Sequence, residues 1–319
     1  MDDEATAELD PQLAELLQSG RMADLPAWHE LSVSEARRIE DEVFAAGDGP
    51  RLERVRDRRL EGPNGDVPIR IYRPGPQTER NPPPALVFCH GGGWVLGTLG
   101  SADDLCREFA ARIGAVVVSV DYRLAPEHPF PAALEDAWAA LEWTRDEADR
   151  INVDPDRLGV AGTSAGGGLA AALALRARKR NVSLAAQLLC YPMLDRDLER
   201  SSYREHADAP LLSRADVAWF WEQYLAKPVD AEDSLAAPLR ADSLAGCPPA
   251  VVATAGHDVL RSEGVAYANR LRAAGVETSH CHSPSLAHGY LSLTDEVDRA
   301  GAAMDDVADA VGSLLNRDS

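Results

Sequence analysis

Short apolar runs alternate with helix-like segments along most of the chain. Residues 85–89 and 115–120 are apolar at nearly every position, as is typical of strands buried on both faces of a parallel sheet. The segments between such runs carry apolar residues at the three- and four-residue spacing of an amphipathic helix. This alternation predicts an α/β fold with a mostly parallel central sheet flanked by helices. Further strands are predicted at residues 158–163, 184–191, 250–255 and 277–282, and an antiparallel hairpin at residues 52–60 and 68–73.

Two segments lie outside this alternation. Residues 1–48 are polar, with leucines at helical spacing, and residues 196–228 carry an apolar and aromatic cluster at helical spacing. We therefore expect a main domain at residues 49–319, an N-terminal helical cap segment at residues 1–48 and a cap insertion at residues 196–228. Each segment would fit equally well a purely structural role, in which its helices only pack against the main domain. The cluster consists of Leu211, Leu212, Val217, Phe220, Trp221 and Tyr224.

Length and composition are typical of a soluble globular protein. The chain has 319 residues, of which 45% are hydrophobic and 26% are charged. No apolar run approaches the roughly 18 residues needed to cross a bilayer, which predicts that there is no membrane span. The acidic start, Met-Asp-Asp-Glu, lacks the basic and apolar regions of a secretory signal. We therefore expect a cytoplasmic protein.

The net charge limits the kinds of molecule that the protein is expected to bind. The net charge is −20, and such a surface repels phosphate backbones and anionic membranes, so we expect no nucleic-acid partner. Only two of the 32 basic residues, Lys179 and Lys227, are lysines, and the other 30 are arginines. A GC-rich genome and adaptation to high salt both explain this composition, and the sequence does not separate the two explanations.

The cysteines show no metal-binding or disulfide pattern. The five residues are Cys89, Cys106, Cys190, Cys247 and Cys281, and no two of them form a Cys-x-x-Cys pair. Cys89 and Cys190 end apolar runs, where a free thiol behaves as a small hydrophobic side chain. An odd number without regular spacing fits a reducing compartment and argues against a thiolate metal site. We therefore expect no bound metal.

The strongest chemical signal is Gly162-Thr163-Ser164-Ala165-Gly166, between a predicted strand and a predicted helix. A strand-to-helix turn of the form Gly-x-Ser-x-Gly holds the serine in strained backbone geometry and lifts its hydroxyl above the sheet. Glycines are required on both sides because a Cβ there would collide with the neighbouring chain. The same pattern also fits a glycine-rich turn without chemistry. Ser164 is therefore a candidate nucleophile whose role depends on partners elsewhere in the chain.

A second glycine-rich stretch, His90-Gly91-Gly92-Gly93-Trp94, follows the predicted strand at residues 85–89. Consecutive glycines let the backbone approach a ligand with its N–H groups forward. A phosphate cradle would use the same geometry, but the stretch has no lysine and lacks the Gly-Lys-Ser/Thr sequence of a P-loop. A loop whose N–H groups stabilise an oxyanion fits these residues better.

Two further residues complete a nucleophile–acid–base order. Asp258 follows the predicted strand at residues 250–255, and His288 lies in a loop after the strand at residues 277–282. Because the carboxyl ends of parallel strands meet at one edge of a sheet, Ser164, Asp258 and His288 are predicted to lie together. A serine nucleophile needs an imidazole to accept its proton and a carboxylate to fix the imidazole tautomer. This chain order is the one found in α/β-hydrolases.

Three other histidines compete with His288 for the role of base. His257 adjoins Asp258 on the wrong side for the expected chain order, and His280 and His282 alternate within a predicted strand. A residue inside a strand points to one face of the sheet and not to its carboxyl edge. His288 is favoured because it lies in a loop beyond the strand and is followed by glycine.

The loop after the predicted strand at residues 115–120 is rich in charge. It carries Asp121, Arg123 and Glu127 within seven residues. We interpret these three side chains as a structural ion-pair cluster and not as catalytic groups.

These motifs resemble those of the hormone-sensitive-lipase family of carboxylesterases (bacterial family IV), which has the α/β-hydrolase fold with a helical cap. The similarity extends from about residue 52 to the C-terminus, and Thr163 resembles the subfamily that has threonine before the serine. The family commonly has Glu-Tyr-Asp-Pro-Leu around its acid, where residues 256–260 read Gly-His-Asp-Val-Leu. The matching stretches are residues 90–94, 122–127 and 162–167, Asp258, and the pair His288-Gly289.

The resemblance implies a serine carboxylesterase that hydrolyses short- to medium-chain carboxylic esters through an acyl-enzyme intermediate. It implies no cofactor and a small-molecule ester as the substrate, and it is compatible with a homodimer. Two alternatives remain: a non-catalytic small-molecule-binding protein on the same fold, and an amidase with the same triad. The candidate site residues are Ser164, Asp258 and His288 as the triad, Gly92, Gly93 and Ala165 as the oxyanion hole, and Trp94, Leu212, Phe220 and Trp221 as the substrate pocket.

Overall fold

An eight-stranded sheet runs through the centre of the protein. The computed structural model describes residues 6–19, 22, 25–44, 47, 49–75 and 82–317. The strands are β1 (Arg54–Gly62), β2 (Gly65–Arg73), β3 (Ala85–Cys89), β4 (Val116–Val120), β5 (Leu158–Thr163), β6 (Ala186–Cys190), β7 (Ala250–His257) and β8 (Thr278–Ala287). Their order across the sheet is β1-β2-β4-β3-β5-β6-β7-β8.

The sheet is parallel except at one edge. All pairings among β3 to β8 are parallel, whereas β1 and β2 form an antiparallel hairpin that joins the sheet through β4. Strands β3 to β6 are buried at each of their residues, which explains why they are continuous apolar runs in the sequence. The predicted mostly parallel α/β sheet is confirmed.

Helices cover both faces of the sheet. Those that pack on it include α3 (Asp103–Ile113), α4 (Ala132–Asp146), α6 (Ala165–Arg180), α9 (Arg261–Ala273) and α10 (Asp298–Leu315), whereas the short α5 (Ala148–Ile151) contacts α4. The apolar residues of α3 and α10 join the core on one face of the sheet, and those of α4, α6 and α9 join the core on the other. Successive strand residues therefore alternate between the two cores: Val87 belongs to the second and Phe88 to the first.

The two segments outside the strand–helix alternation contact each other. The N-terminal segment contains α1 (Pro11–Gln18) and α2 (Val33–Val43), and the later segment contains α7 (Ser201–Glu205) and α8 (Arg214–Tyr224). His29 Nδ1 lies 2.8 Å from Asp216 Oδ1, which also accepts the His29 backbone N–H at 3.0 Å. Trp28 Nε1 donates to the Leu211 carbonyl at 3.4 Å. Residues from both predicted cap segments therefore form one contiguous group.

The predicted ion-pair cluster of Asp121, Arg123 and Glu127 is wrong. Arg123 pairs with the buried Asp136 of α4, with two guanidinium nitrogens each 2.8 Å from a carboxylate oxygen. Glu127 pairs with Arg37 of α2 through hydrogen bonds of 2.7 and 2.8 Å. Side chains close in sequence on a loop point in different directions, so each charge pairs with the helix that it faces. The Arg37–Glu127 pair attaches α2 to the main domain.

No helix in the described part of the chain could span a membrane. None combines the length and the apolar character that a bilayer crossing requires. The five cysteines are free thiols, and four of them are buried. They contribute to the core as small apolar side chains.

Candidate active site

A sharp turn between β5 and α6 exposes Ser164 at the carboxyl edge of the sheet. Its backbone has φ 55° and ψ −121°, a strained conformation for a residue that carries a side chain. A Cβ on Gly162 would lie 2.1 Å from the Gly166 carbonyl oxygen, and a Cβ on Gly166 would lie 2.0 Å from that of Cys89. Only glycine fits at both positions, and the turn can therefore be tight enough to present the serine hydroxyl in front of α6.

Ser164, His288 and Asp258 form one chain of hydrogen bonds. His288 Nε2 lies 2.9 Å from Ser164 Oγ, and His288 Nδ1 lies 2.9 Å from Asp258 Oδ2. Because an ionised carboxylate only accepts hydrogen bonds, Nδ1 carries the proton and Nε2 accepts from the serine hydroxyl. Ser164 and His288 are 7% and 8% exposed, and Asp258 is fully buried. The arrangement can remove the serine proton as the oxygen attacks an electrophile.

The imidazole is held from two sides. Asp258 Oδ1 accepts the Leu260 backbone N–H at 2.8 Å, which fixes the carboxylate although the loop sequence differs from the usual family pattern. The ring of Tyr191, the residue directly after β6, meets the ring of His288 edge-on at 4.9 Å. His288 therefore has one oriented position between Asp258 and Ser164.

The three competing histidines lie elsewhere. His257 Nε2 is 2.9 Å from the carbonyl oxygen of Ala7 in the N-terminal segment. His280 Nε2 and His282 Nδ1 lie 2.8 and 2.9 Å from the hydroxyl of Thr254 on the neighbouring strand. None of these three rings is hydrogen-bonded to Ser164.

Two unused backbone N–H groups lie beside Ser164. Neither the N–H of Gly92 nor that of Gly93 donates a hydrogen bond to any described residue, and both glycines line the same cavity as Ser164. The N–H of Ala165, the first residue of α6, has no intrahelical acceptor because it belongs to the first turn. Groups of this kind can donate to an oxygen that develops negative charge.

His90 stabilises the glycine loop through contacts of its ring and its backbone. Its Nδ1 donates to the Gly91 carbonyl at 2.8 Å, its ring stacks on Tyr122 at 4.2 Å, and its own carbonyl accepts the Tyr122 hydroxyl at 2.8 Å. Burial lowers the pKa of His90 to about 4, although the hydrogen bond to Gly91 acts in the opposite direction. His90 is therefore neutral near pH 7 and acts as a support for the loop.

A cavity of about 910 Å³, including its open mouth, lies over Ser164. The candidate pocket residues Leu212 and Phe220 line it, and the N-terminal segment contributes Trp28 and Phe44. Both predicted cap segments therefore form walls of the same cavity. The remaining lining is largely apolar and includes Met22, Leu96, Ala102, Leu105, Leu211 and Leu293.

The structure does not place Trp94 and Trp221 in the cavity. Both side chains are at most 1% exposed. The Trp94 ring stacks on Tyr224 at 4.0 Å and lies 4.6 Å from the Trp221 ring, behind the cavity wall. These rings pack α8 against the glycine loop. A ring in the core is removed from water more completely than a ring that lines an open cavity, and this burial stabilises the packed arrangement. The prediction that they line the pocket is corrected accordingly.

Several cavity residues were not identified from the sequence. Tyr191 follows β6 directly, so its position at the carboxyl edge of the sheet was a usable signal. Glu40 and Ser101 gave no such signal, because each enters the cavity through a contact between distant segments. Glu40 is only 8% exposed although it is a carboxylic acid.

Glu40 is the carboxyl group in the cavity wall. No cation pairs with it among the described residues. Burial raises the pKa of Glu40 to about 7, because the polar Ser101 and Gly97 groups near the carboxyl only partly offset the loss of water. The cavity therefore gains a negative charge close to neutral pH.

We expect Glu40 to make the protein less stable as the pH rises from about 5 to 7. In that range the unfolded state has lost the Glu40 proton while the folded state still binds it, so the free energy of unfolding falls by about 1.4 kcal/mol per pH unit. Glu40→Gln should remove this contribution. Urea unfolding of both proteins at pH 5 and pH 8 measures it, and equal pH dependence in the two would contradict the assignment.

A serine, a carboxylate and a histidine in this chain order at the carboxyl edge of a parallel sheet define the serine hydrolases of the α/β-hydrolase type. A family model described as the alpha/beta hydrolase fold (Abhydrolase_3) matches residues 86–292. The chain belongs to the hormone-sensitive-lipase family of α/β-hydrolase carboxylesterases, and it is a serine carboxylesterase.

Named relatives and solved structures agree with this assignment. The chain is 43% identical over 253 residues to esterase LipI of Mycobacterium tuberculosis, covering 78% of this chain and 79% of LipI. It is 34% identical over 317 residues to an ethyl acetate hydrolase of Pseudomonas putida, covering 96% of this chain and 99% of that enzyme. A thermostable esterase from Pseudomonas putida ECU1011 superposes with a TM-score of 0.92 at 33% identity, covering 98% of this chain and 99% of that one.

Proposed function

We propose that Ser164 is the nucleophile, His288 the base and Asp258 its orienting acid in the hydrolysis of short- to medium-chain carboxylic esters. The observation that carries this proposal is the unbroken chain of 2.9 Å contacts from Asp258 through His288 to Ser164 at the floor of an apolar cavity. The fold places all three residues on turns that follow β5, β7 and β8. Rigid strands therefore fix their relative positions.

Acylation begins when Ser164 Oγ attacks the ester carbonyl carbon and His288 Nε2 takes the hydroxyl proton. The carbonyl oxygen becomes an oxyanion, and the N–H groups of Gly92, Gly93 and Ala165 donate to it. Asp258 stabilises the imidazolium that forms. When the tetrahedral intermediate collapses, the bond to the alcohol oxygen breaks, and Nε2 returns its proton to that oxygen.

Deacylation repeats these steps with water as the nucleophile. His288 Nε2 takes a proton from the water, whose oxygen attacks the carbonyl carbon of the acyl-Ser164. The same N–H groups stabilise the second oxyanion. Its collapse releases the carboxylic acid, and the proton held by His288 returns to Ser164 Oγ. Each proton that leaves an oxygen is returned to one, so the cycle ends with the enzyme in its starting state.

We expect the cavity to select the acyl chain by length. Each methylene that it buries stabilises the transition state by about 0.8 kcal/mol, or roughly fourfold in kcat/KM. Activity on nitrophenyl esters should rise from acetate to about butyrate or hexanoate and then fall, because the cap residues close the apolar cavity. A profile that is flat or that rises without limit to long chains would contradict this substrate range.

The walls from the two cap segments can be tested separately in the same assay. Trp28→Ala opens the wall from the N-terminal segment, and Phe220→Ala opens the wall from the insertion. If both segments act as a cap over the acyl chain, each variant should move the optimum to longer esters while acetate turnover changes little. Unchanged profiles would mean that the segments only pack on the domain.

Amide hydrolysis is distinguished from ester hydrolysis by replacing the nitrophenyl ester with the nitroanilide of the same acid. The proposal expects ester turnover to exceed anilide turnover by orders of magnitude. Binding of esters without any turnover would instead indicate a non-catalytic small-molecule-binding protein.

A further inference from the structure

A second cleft, called here the arginine cleft, lies against the edge strand β1. Three strands separate β1 from β5, which puts roughly 19 Å of sheet between the cleft and the strand that carries Ser164. The cleft holds about 830 Å³, counting its open mouth, and no described carboxylate lines it. Its charged lining consists of Arg54, Arg56, Arg58, Arg59, Arg73 and Arg150.

Three arginines of β1 have no ion-pair partner in the described part of the chain. Arg54, Arg56 and Arg58 alternate along the strand, so they share one face at intervals of roughly 7 Å. None of the three forms a hydrogen bond or ion pair with a described residue, whereas exposed arginines such as Arg38 and Arg214 pair with carboxylates. Exposed arginines without an ion pair also occur elsewhere, for example Arg180 and Arg196, so the distinguishing feature here is that three of them share one face of one strand.

The hairpin register brings two of these charges together. Arg54 lies directly opposite Arg73 in the β1–β2 pair, and like charges at that position destabilise a sheet. Burial lowers the pKa of Arg73, the charge of Glu53 opposes this shift, and the smaller contribution of Arg54 adds to it. A bound anion would attract both guanidinium groups of this pair.

Protection of the sheet edge does not explain the pattern. Charged side chains on an edge strand prevent pairing with another sheet. That role requires neither a cleft nor several cations close together, whereas these arginines line one cleft. The arginine cleft also has an aromatic and aliphatic part, formed by Trp143, Ile71 and Ile151. It therefore has the composition of a binding site rather than of a protected edge.

We propose that the arginine cleft binds a small soluble anion that carries two or more phosphate groups. Guanidinium groups bind phosphate oxygens through paired, charge-assisted hydrogen bonds, and several of them can contact one such ligand. A soluble ligand is favoured over a lipid headgroup, because the net charge of −20 repels an extended anionic surface but not a small ion inside the cleft.

Calorimetric titration of the full chain with sodium tripolyphosphate tests the proposal. Arg54→Gln together with Arg58→Gln should weaken binding by at least about tenfold, since a charged hydrogen bond contributes more than the 1.4 kcal/mol that this factor represents. The matched control, Arg180→Gln with Arg196→Gln, removes the same charge from exposed arginines outside the cleft and should bind as the natural chain does. Affinity should fall as NaCl is raised.

Thermal unfolding gives a second readout. Tripolyphosphate should raise the Tm of the natural chain and of the control, but not that of the cleft variant. Without ligand, the cleft variant should be about as stable as the natural chain, because neither Arg54 nor Arg58 forms a hydrogen bond or ion pair with a described residue. Ester hydrolysis should be unchanged in both double variants, which separates a folding defect from a loss of binding.

Two results of the titration would overturn the proposal. Equal binding by all three proteins, or no binding by the natural chain, would show that the cleft is not a phosphate site. Sedimentation with vesicles of phosphatidylcholine and phosphatidylglycerol identifies the ligand source. If the natural chain sediments with the vesicles and the cleft variant does not, the cleft binds a lipid headgroup, and the soluble ligand is rejected.

Discussion

We expect Ser164→Ala to lower kcat by about 10⁴-fold or more, the typical loss when one member of a catalytic triad is removed. The alanine lacks the oxygen that His288 contacts at 2.9 Å, so no acyl-enzyme can form. The backbone of residue 164 is strained, and alanine tolerates that conformation as well as serine does. The variant should therefore fold and still bind substrate, and single-turnover kinetics on a nitrophenyl ester measure the loss.

His288→Ala should cause a loss of similar size, and combining it with Ser164→Ala should add little. The two side chains act as one unit, so their effects on kcat are not additive. His257→Ala is the matched control, because this ring bonds to the Ala7 carbonyl and not to Ser164. If either single triad variant kept more than a tenth of the natural turnover, or if His257→Ala were equally damaging, the assignment would be rejected.

The sequence was informative where chemistry follows strand order. Ser164, Asp258 and His288 each come after a strand of the parallel sheet, and parallel strands all end at one edge, so their proximity could be predicted without coordinates. The glycines around Ser164 were predictable for a similar reason. A residue with a Cβ does not fit in a tight turn where that Cβ would lie about 2 Å from a backbone atom of another residue, as at Gly162 and Gly166.

The sequence was uninformative where a side chain meets a distant segment. Helical spacing identified Phe220 and Trp221 as members of one apolar cluster, but not which ring faces the cavity and which faces Trp94. Likewise, the charges of Arg123 and Glu127 suggested a local cluster, whereas their partners come from two different helices. Such contacts depend on how elements pack, which local patterns do not encode.

Glu40 illustrates the same limit for the chemistry of the site. A glutamate on a polar helix is ordinarily exposed and ionised, and its neighbours in α2 give no reason to expect otherwise. Glu40 is buried because α2 lies against the main domain, where Arg37 donates to the Val95 and Ala125 carbonyls and pairs with Glu127. The shift in its pKa is therefore a consequence of tertiary structure alone.

The second large effect is expected at Gly93. Gly93→Ala should lower kcat by roughly 10²–10³-fold with a much smaller change in KM, because an oxyanion donor acts mainly in the transition state. The added Cβ would lie 2.0 Å from the Phe220 ring, so the loop or the ring must move. Steady-state kinetics on a short ester measure the effect, because a short acyl chain depends little on the cavity walls formed by the cap segments.

A matched variant separates loop displacement from backbone strain. Gly93 has φ 60°, and Gly114, at the end of α3, has φ 73° with no atom within 4 Å of the place that a Cβ would occupy. Gly114→Ala should therefore carry a comparable backbone cost of about 1–2 kcal/mol and leave kcat unchanged. Adding Phe220→Ala to Gly93→Ala should remove the clash and restore part of kcat. If Gly93→Ala retained more than a tenth of the natural kcat, or lost activity only through KM, this loop would not be the oxyanion hole, and the negative charge would have to be stabilised by other donors.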